Sequence, residues 1–497
     1  MINSIRLPRT LIIQVATAMM AAVVGLGVVV ITRRLEGAQL VAAVAGLAVL
    51  GVASASGRLE HFLFALMILV VPFNVDLLGK SATATADNTA SMQPVGLAPG
   101  FVILCLLYVL WMWHLIGDPS KLTKILPPAT IPLLALIGWG ALSVINAREP
   151  LETMRGVLAY IKGMLCFLYM ANYAKRRDQL RMIGICLVIG LLIEGVIACI
   201  QAVVGHPLGL DMLGERGDMS EIDSFIMLKL GADKVSRVVG TQGHPNHLGR
   251  YLATVLPLVL LYNLPAAKFK WPMRLVILAA SLLGMAALVL TLSRAAWLSF
   301  GVAGFALVGW LCLQRRAKVG PLIAVLAALA VVAVAFSPLI FARWTESDYG
   351  AAESRLTLLQ IASTIISTHP ILGVGLYNYK SVMYLYDTTS VGITFSQHQY
   401  RVHNAYFLMA AEIGLVGLAC LGWFLLTVAR QAWRRIAATS DDFTRFTIMG
   451  IALGLMAFLV DALAEPIFLI RDPLFLIYAG ILAAVVWPDR QRGEART

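Results

Sequence analysis

Polar side chains that could take part in a reaction gather in three segments of an otherwise apolar chain, and hydrophobic runs adjoin each segment. The segments span residues 236–247, 343–378 and 401–406, and a short turn at 291–294 adds one more arginine. Arginine binds anionic oxygens through a planar group that is always charged, and histidine exchanges protons near neutral pH. The candidates for substrate binding and proton transfer are Arg237, His244, Asn246, Arg294, Arg355, Arg401, His403, Asn404 and Tyr406.

The same residue types also have structural interpretations, which the sequence alone leaves open. An arginine at a helix end commonly anchors to lipid headgroups, and a histidine at a helix start commonly caps the helix. His244, His247, His369 and His398 lack the spacing of metal ligands on one helix, so no metal site is predicted. The alternative is that the Asp and Glu residues of loop 206–246 bind Mg²⁺, although they show no fixed ligand spacing. Gly373 and Gly375 resemble a phosphate-binding loop, but a tight turn after a helix explains them better.

The elements that position these residues are predicted from hydropathy. The chain has 497 residues, of which 59% are hydrophobic and 13% charged, whereas a soluble domain carries about 25% charged residues. Apolar runs of about 20 residues recur along the chain, and each is long enough to cross a bilayer core. The sequence therefore predicts an all-α polytopic membrane protein with about 14 transmembrane helices and two long outward loops, 206–246 and 342–402.

The predicted spans set the orientation of the chain. Short loops such as 175–181, 265–273 and 430–445 are rich in Lys and Arg, which places them and both termini in the cytoplasm. The same bias explains the net charge of +12 without a nucleic-acid partner. Arg33-Arg34, in an outward loop, contradicts this orientation for the first hairpin. The predicted spans are approximately 11–31, 38–56, 61–78, 99–117, 127–145, 157–174, 182–205, 247–264, 274–292, 296–313, 320–341, 403–429, 446–464 and 474–487.

Few ionisable residues lie inside the spans: Lys162, Glu194, Glu412 and Asp461. A transporter would place its coupling charges at such positions. Structural roles are the preferred interpretation, with Glu412 as a partner for a neighbouring helix, although Glu194 and Asp461 remain possible proton-relay positions. Because the polar residues concentrate at the outer helix ends, chemistry at the outer face is favoured over passage through the middle.

Four sequence blocks match a known pattern: R-V-V-G-T-Q-G-H-P-N-H-L-G from 237, T-L-S-R from 291, H-P-I-L-G-V-G-L-Y-N-Y from 369 and H-N-A-Y-F-L-M-A-A-E-I-G-L-V-G from 403. Together they make residues 182–429 resemble the O-antigen ligase and polymerase family of bacterial membrane glycosyltransferases. His403, Asn404, Gly414 and Gly417 fill the positions of the family's histidine motif. Fourteen helices exceed the roughly twelve typical of the ligases, so the choice between ligase and polymerase stays open.

The resemblance implies an activity. Such enzymes take a glycan from undecaprenyl diphosphate at the periplasmic face of the inner membrane and pass it to an acceptor hydroxyl, on lipid A-core or on a growing glycan. They serve lipopolysaccharide or exopolysaccharide assembly and need no metal, cofactor or nucleotide sugar. By this resemblance Arg237 and Arg355 bind the diphosphate and His403 is the base. The expected substrate contacts are Arg294, Arg401, Asn404, Tyr406, His244 and Asn246.

The resemblance also implies a division of the chain, with transmembrane helices 1–6 in residues 1–181, the catalytic region in 182–429, and a transmembrane hairpin and cytoplasmic tail in 430–497. Two other functions remain as alternatives. A flippase for lipid-linked oligosaccharides would place charges at the bilayer midplane and show related halves, and the sequence shows neither clearly. A scaffold protein would leave the arginines and histidine unexplained.

Overall fold

The structure, a computed structural model, describes residues 58–73, 99–117, 126–210, 213–215, 227–230, 233–313, 337–345, 351–388 and 401–484. The chain divides into two compact units, Met1–Leu63 and Phe64–Thr497. Only residues 58–63 of the first unit are described. The predicted spans 11–31 and 38–56, the start of span 320–341 and the loop 79–98 lie outside the described residues.

Helices make up most of the described chain. Short 3-10 turns also occur at Ser143–Asn146, Pro265–Ala267, Met383–Leu385 and Leu469–Arg471. The α-helices are α1 Leu59–Leu69, α2 Pro99–Gly117, α3 Thr130–Leu142, α4 Pro150–Tyr173, α5 Arg177–Val204, α6 Pro245–Tyr262, α7 Trp271–Leu290, α8 Arg294–Leu313, α9 Ser337–Thr345, α10 Ala351–Thr368, α11 Tyr379–Val382, α12 Ala405–Ala438, α13 Asp442–Asp461 and α14 Pro473–Ala483.

The protein is a multi-pass membrane protein. Within the described ranges five helices, α4, α5, α7, α12 and α13, are long and apolar enough to cross a membrane by length and composition. Shorter apolar helices occur at Leu59–Leu69, Pro99–Trp113, Thr130–Asn146, Arg294–Trp310 and Pro473–Ala483. The total of about 14 spans stays a prediction.

The loop predicted at 206–246 contains a feature that the all-α prediction lacks. Strand β1 (Met227–Leu230) pairs antiparallel with β2 (Asp233–Ser236), with Met227 opposite Ser236. This short two-stranded sheet is an addition to the all-α fold that the sequence predicts. The second strand ends one residue before Arg237, so the hairpin leads directly into the first candidate segment.

Helix α6 is the centre of the bundle, because it packs against α5, α7, α8 and α13. Its residues from Leu252 to Tyr262 are all buried. At one end of the helix the Tyr262 hydroxyl lies 2.9 Å from the Thr447 hydroxyl of α13. At the other end Pro245 occupies the first turn and the His244 side chain caps the helix. The segment 236–247 is thereby fixed to a helix that is largely buried.

Helix α12 is broken near its start. Ile413 and Gly414 have non-helical backbone angles, and Gly414 adopts φ 71° and ψ 177°, a region that essentially only glycine occupies. The loop after α10 fills the break, since the amides of Val374 and Gly375 donate to the carbonyls of Ala411 and Glu412 at 3.0 and 2.9 Å. These bonds support the interpretation of the 369–379 block as a turn rather than a phosphate loop.

Candidate active site

The turn between α7 and α8 holds two arginines through backbone carbonyls. The Thr291 carbonyl accepts a hydrogen bond from Arg237 Nε at 2.8 Å, and the Leu292 carbonyl accepts one from Arg343 Nε at 3.2 Å. Leu292 has φ 52°, a left-handed conformation that is uncommon for a leucine. Arg294 follows as the first residue of α8. The T-L-S-R block therefore forms a turn whose two backbone carbonyls bind the guanidinium groups of Arg237 and Arg343.

Arg237 is held by a second contact from α6. Its Nη2 donates to Asn246 Oδ1 at 2.7 Å, and Asn246 Nδ2 donates to Glu465 Oε1 at 2.7 Å. Burial and then the charge of Arg343 lower the pKa of Arg237 to about 10, while Glu465 opposes the shift. The guanidinium still carries its charge at neutral pH.

The backbone that follows Arg237 rests on two polar side chains of α5. Gln201 Oε1 accepts from the amides of Val239 and Gly240 at 3.1 and 2.9 Å. The buried carboxylate of Glu194 accepts from the amide of Thr241 at 3.1 Å and also from its hydroxyl. These bonds agree with a structural role for Glu194.

Three other arginines lie close enough for their charge to act on Arg237, and we call Arg237, Arg294, Arg343 and Arg355 the arginine cluster. After burial, the charges of Arg343, Arg294 and Arg355 all lower the pKa of Arg237. Arg355 comes from α10, so the cluster joins segments far apart in sequence. Guanidinium groups bind phosphate oxygens in pairs, and such a cluster suits a ligand with at least two negative charges.

His403 lies beside this cluster. Burial and then the positive charge of Arg355 lower the pKa of His403 to about 4. A histidine ordinarily exchanges protons near pH 7, and the expectation of such a base at His403 was wrong, because burial and the nearby Arg355 disfavour the charged imidazole. Among the described residues no hydrogen-bond partner reaches the buried Nδ1 of His403. The ring is neutral at pH 7 and can accept a proton.

Three of the predicted substrate contacts hold helices in place. Asn404 caps α12, with its Oδ1 accepting from the amides of Tyr406 and Phe407 at 3.0 Å each. The Tyr406 hydroxyl donates to the Leu459 carbonyl of α13 at 2.8 Å. His244 Nδ1 accepts from the Asn246 amide at 3.1 Å. Their contacts with substrate stay predictions.

Arg401 belongs to a different group of side chains. Its guanidinium carbon lies 5.0 Å from the centre of the Phe468 ring. Burial lowers its pKa, and the nearby negative charge of Glu412 opposes the shift. Glu412 Oε1 also accepts at 3.4 Å from the amide of Tyr379, which is the last residue of the 369–379 block and the first residue of α11. The structure thus links Arg237 to Asn246 by a hydrogen bond and to Arg294 and Arg355 by charge, and Arg355 acts in turn on His403. Arg401 contacts Phe468 and interacts with the charge of Glu412.

Two residues of this site were not among the predicted site residues, although Arg343 begins the candidate segment 343–378. Arg343 lies at the C-terminal end of α9 and is buried, and Glu465 follows the end of α13. The sequence signal for both was their position near a predicted outer helix end. Their partners, a backbone carbonyl and an asparagine 219 residues away, leave no local pattern.

Comparison with known proteins gives one family. No curated protein matches the chain significantly. A solved structure described as "Structural coordination of polymerization and crosslinking by a peptidoglycan synthase complex" is 16% identical, with a TM-score of 0.38, over 74% of this chain and 98% of that chain. Residues 279–422 match the family model described as O-antigen ligase. The matched region includes Arg294, Arg343, Arg355 and His403, so this part of the chain is similar to the O-antigen ligase family.

Proposed function

We propose that this O-antigen ligase-type membrane glycosyltransferase moves a glycan from undecaprenyl diphosphate to an acceptor hydroxyl at the periplasmic face of the bacterial inner membrane. The observation that carries the proposal is the arginine cluster beside a neutral His403. It combines a site for a dianionic leaving group with a proton acceptor. Lipid A-core or a growing glycan is the acceptor.

The arginine cluster suits the leaving group. As the bond between the anomeric carbon and the diphosphate oxygen breaks, negative charge grows on the diphosphate, and preoriented cations stabilise that charge most strongly. The Nε of Arg237 and of Arg343 is already bonded to a backbone carbonyl, so these two groups need little reorganisation. In this proposal the arginines do the work that a divalent cation does in many phosphate sites.

His403 suits the other half of the reaction. The acceptor oxygen attacks the anomeric carbon, its proton passes to the imidazole, and undecaprenyl diphosphate leaves. A pKa of about 4 keeps the ring neutral before the donor binds. The bound diphosphate offsets the charge of Arg355, which raises the basicity of His403 when the acceptor reacts.

The proposal is tested with purified protein in liposomes that contain an undecaprenyl-diphosphate oligosaccharide and candidate acceptors, with products resolved by size. One new band supports ligation, and a ladder supports polymerisation by the same site. Lipid translocation without product would identify a flippase and refute the transferase. His403→Ala serves as the inactive control, because loss of the imidazole should stop transfer while the protein still inserts into the membrane.

A further inference from the structure

Glu465 is a buried acid joined to the arginine cluster by one side chain. It lies four positions beyond the end of α13 and is only 5% exposed. Its Oε1 accepts from Asn246 Nδ2 at 2.7 Å, and Asn246 Oδ1 accepts from Arg237 at 2.7 Å. Arginine only donates and an ionised carboxylate only accepts, so a single orientation of the asparagine amide satisfies both neighbours.

Three arginines interact electrostatically with Glu465. Burial raises its pKa, and Arg250, Arg355 and Arg237 act against that shift. Arg250 also has Asp461 and Asp472 within 4.0 and 3.8 Å of its guanidinium nitrogens. Arg237 donates to the Thr291 carbonyl and Arg343 to the Leu292 carbonyl, and a carbonyl acceptor carries no full charge. Glu465 is the acid whose charge opposes the pKa shift of Arg237.

We infer that Glu465 is a positioning residue: through Asn246 it fixes the guanidinium of Arg237, and its charge offsets the arginine cluster so that a lipid diphosphate is released after transfer. The inference rests on the proposed function, which names the ligand. Glu465 and Asn246 both lie outside the region that matches the family model. The C-terminal segment of the chain therefore contributes to the site.

The test compares four variants in nanodiscs: Glu465→Gln, Glu465→Ala, Asn246→Ala and, as matched control, Asp472→Asn. Asp472 lies on the same segment and caps α14 through Oδ1, which asparagine also does. Two quantities are measured, the Kd of glycan-free undecaprenyl diphosphate and the kcat and donor KM of transfer. Thermal unfolding shows which variants are folded.

Glutamine retains an oxygen for Asn246 but removes the charge, so the Kd of undecaprenyl diphosphate should fall on the order of tenfold. Glu465→Ala and Asn246→Ala release Arg237, so their kcat should fall on the order of tenfold below that of Glu465→Gln. Asp472→Asn should keep the wild-type values. If Glu465→Ala does not fold, Asn246→Ala breaks the same chain of bonds from its other end.

Equal kcat values for the glutamine and alanine variants, with an unchanged Kd, would overturn the inference. An equal fall of Kd in Asp472→Asn would overturn it too, because any acid of the segment would then serve. Absence of transfer by the wild type with every acceptor would remove the proposed function, while the Kd comparison would still decide the role of Glu465. If the wild type does not bind undecaprenyl diphosphate, both fail.

Discussion

The pH dependence of transfer gives a quantitative test of the site, because His403 must be neutral to accept a proton. At pH 5.5 a histidine with a pKa of about 4 is about 97% neutral, whereas one with the ordinary pKa of 6.5 is about 9% neutral. The two cases differ roughly tenfold in the active fraction. We expect kcat/KM to stay nearly constant from pH 7 down to about 5 and to fall through pH 4.

A variant separates the two causes of this low pKa. Arg355→Gln removes the positive charge but leaves the burial, so the pKa of His403 should rise and the acid limb of kcat/KM should move to higher pH. The same substitution should also weaken donor binding. The control is Arg401→Gln, which removes a buried guanidinium two positions away whose charge interacts with Glu412. Its acid limb should coincide with that of the wild type.

The assay is the initial rate of transfer in proteoliposomes between pH 3.5 and 8. The donor Kd is measured at each pH, so that the effect of donor ionisation on binding can be separated from the titration of His403. In the complex the diphosphate offsets Arg355, so the limb of kcat should lie at higher pH than that of kcat/KM. A wild-type limb of kcat/KM near pH 6.5, or a limb that Arg355→Gln leaves in place, would refute the reasoning.

Three further predictions follow from the same contacts. Arg237→Lys retains the charge but loses the bonds to Thr291 and Asn246, and a charged hydrogen bond contributes about 1.5–3 kcal/mol, so we expect kcat/KM to fall about 10- to 100-fold. Activity should persist in EDTA. A rate that is lost in EDTA and restored by Mg²⁺ would show that a metal cation neutralises the diphosphate. His403→Ala and His403→Gln should both abolish transfer in the size-resolved assay with unchanged thermal unfolding, and an active glutamine variant would show that only a hydrogen bond is needed. Gly414→Ala should lower stability by about 2–4 kcal/mol in detergent unfolding, since φ is 71° and the new Cβ would lie 1.9 Å from the Ile371 carbonyl oxygen, whereas Gly422→Ala on the same helix meets nothing within 4 Å and should have little effect.

Hydropathy located the membrane helices better than it located their ends. Helix α2 occupies the predicted span 99–117, because its ends coincide with the change in polarity. Helix α4 begins seven residues before predicted position 157, since Pro150 starts it and polar Glu152 and Arg155 fill its first turns. Helix α12 runs on to Ala438 through the arginines of a predicted loop. A helix continues as long as its backbone hydrogen bonds continue, and hydropathy carries no information about those hydrogen bonds.

The candidate site was predictable where a residue type carries its own signal. Arg237, Arg355 and His403 stood out because such groups are costly near a membrane and suit an anionic substrate. The break at Gly414 and the partners of Arg343 and Glu465 depend on contacts between segments distant in sequence, and single-sequence patterns contain no record of them. The expectation of an ordinary pKa for His403 was wrong for the same reason, because that pKa is set by burial and by Arg355, 48 positions earlier in the chain.

The end of α7 explains how the cluster stays charged while its members stay oriented. A helix leaves its last carbonyls without internal partners, and its C-terminus carries partial negative charge that favours cations. Here those carbonyls and the following turn accept from the Val238 amide, from Arg237 and from Arg343. A carboxylate in the same place would orient the arginines and also neutralise them, so a diphosphate would have to displace it. Carbonyl acceptors orient the guanidinium groups without a full opposing charge, and among the described residues Glu465 is linked to Arg237 through Asn246 and through its charge.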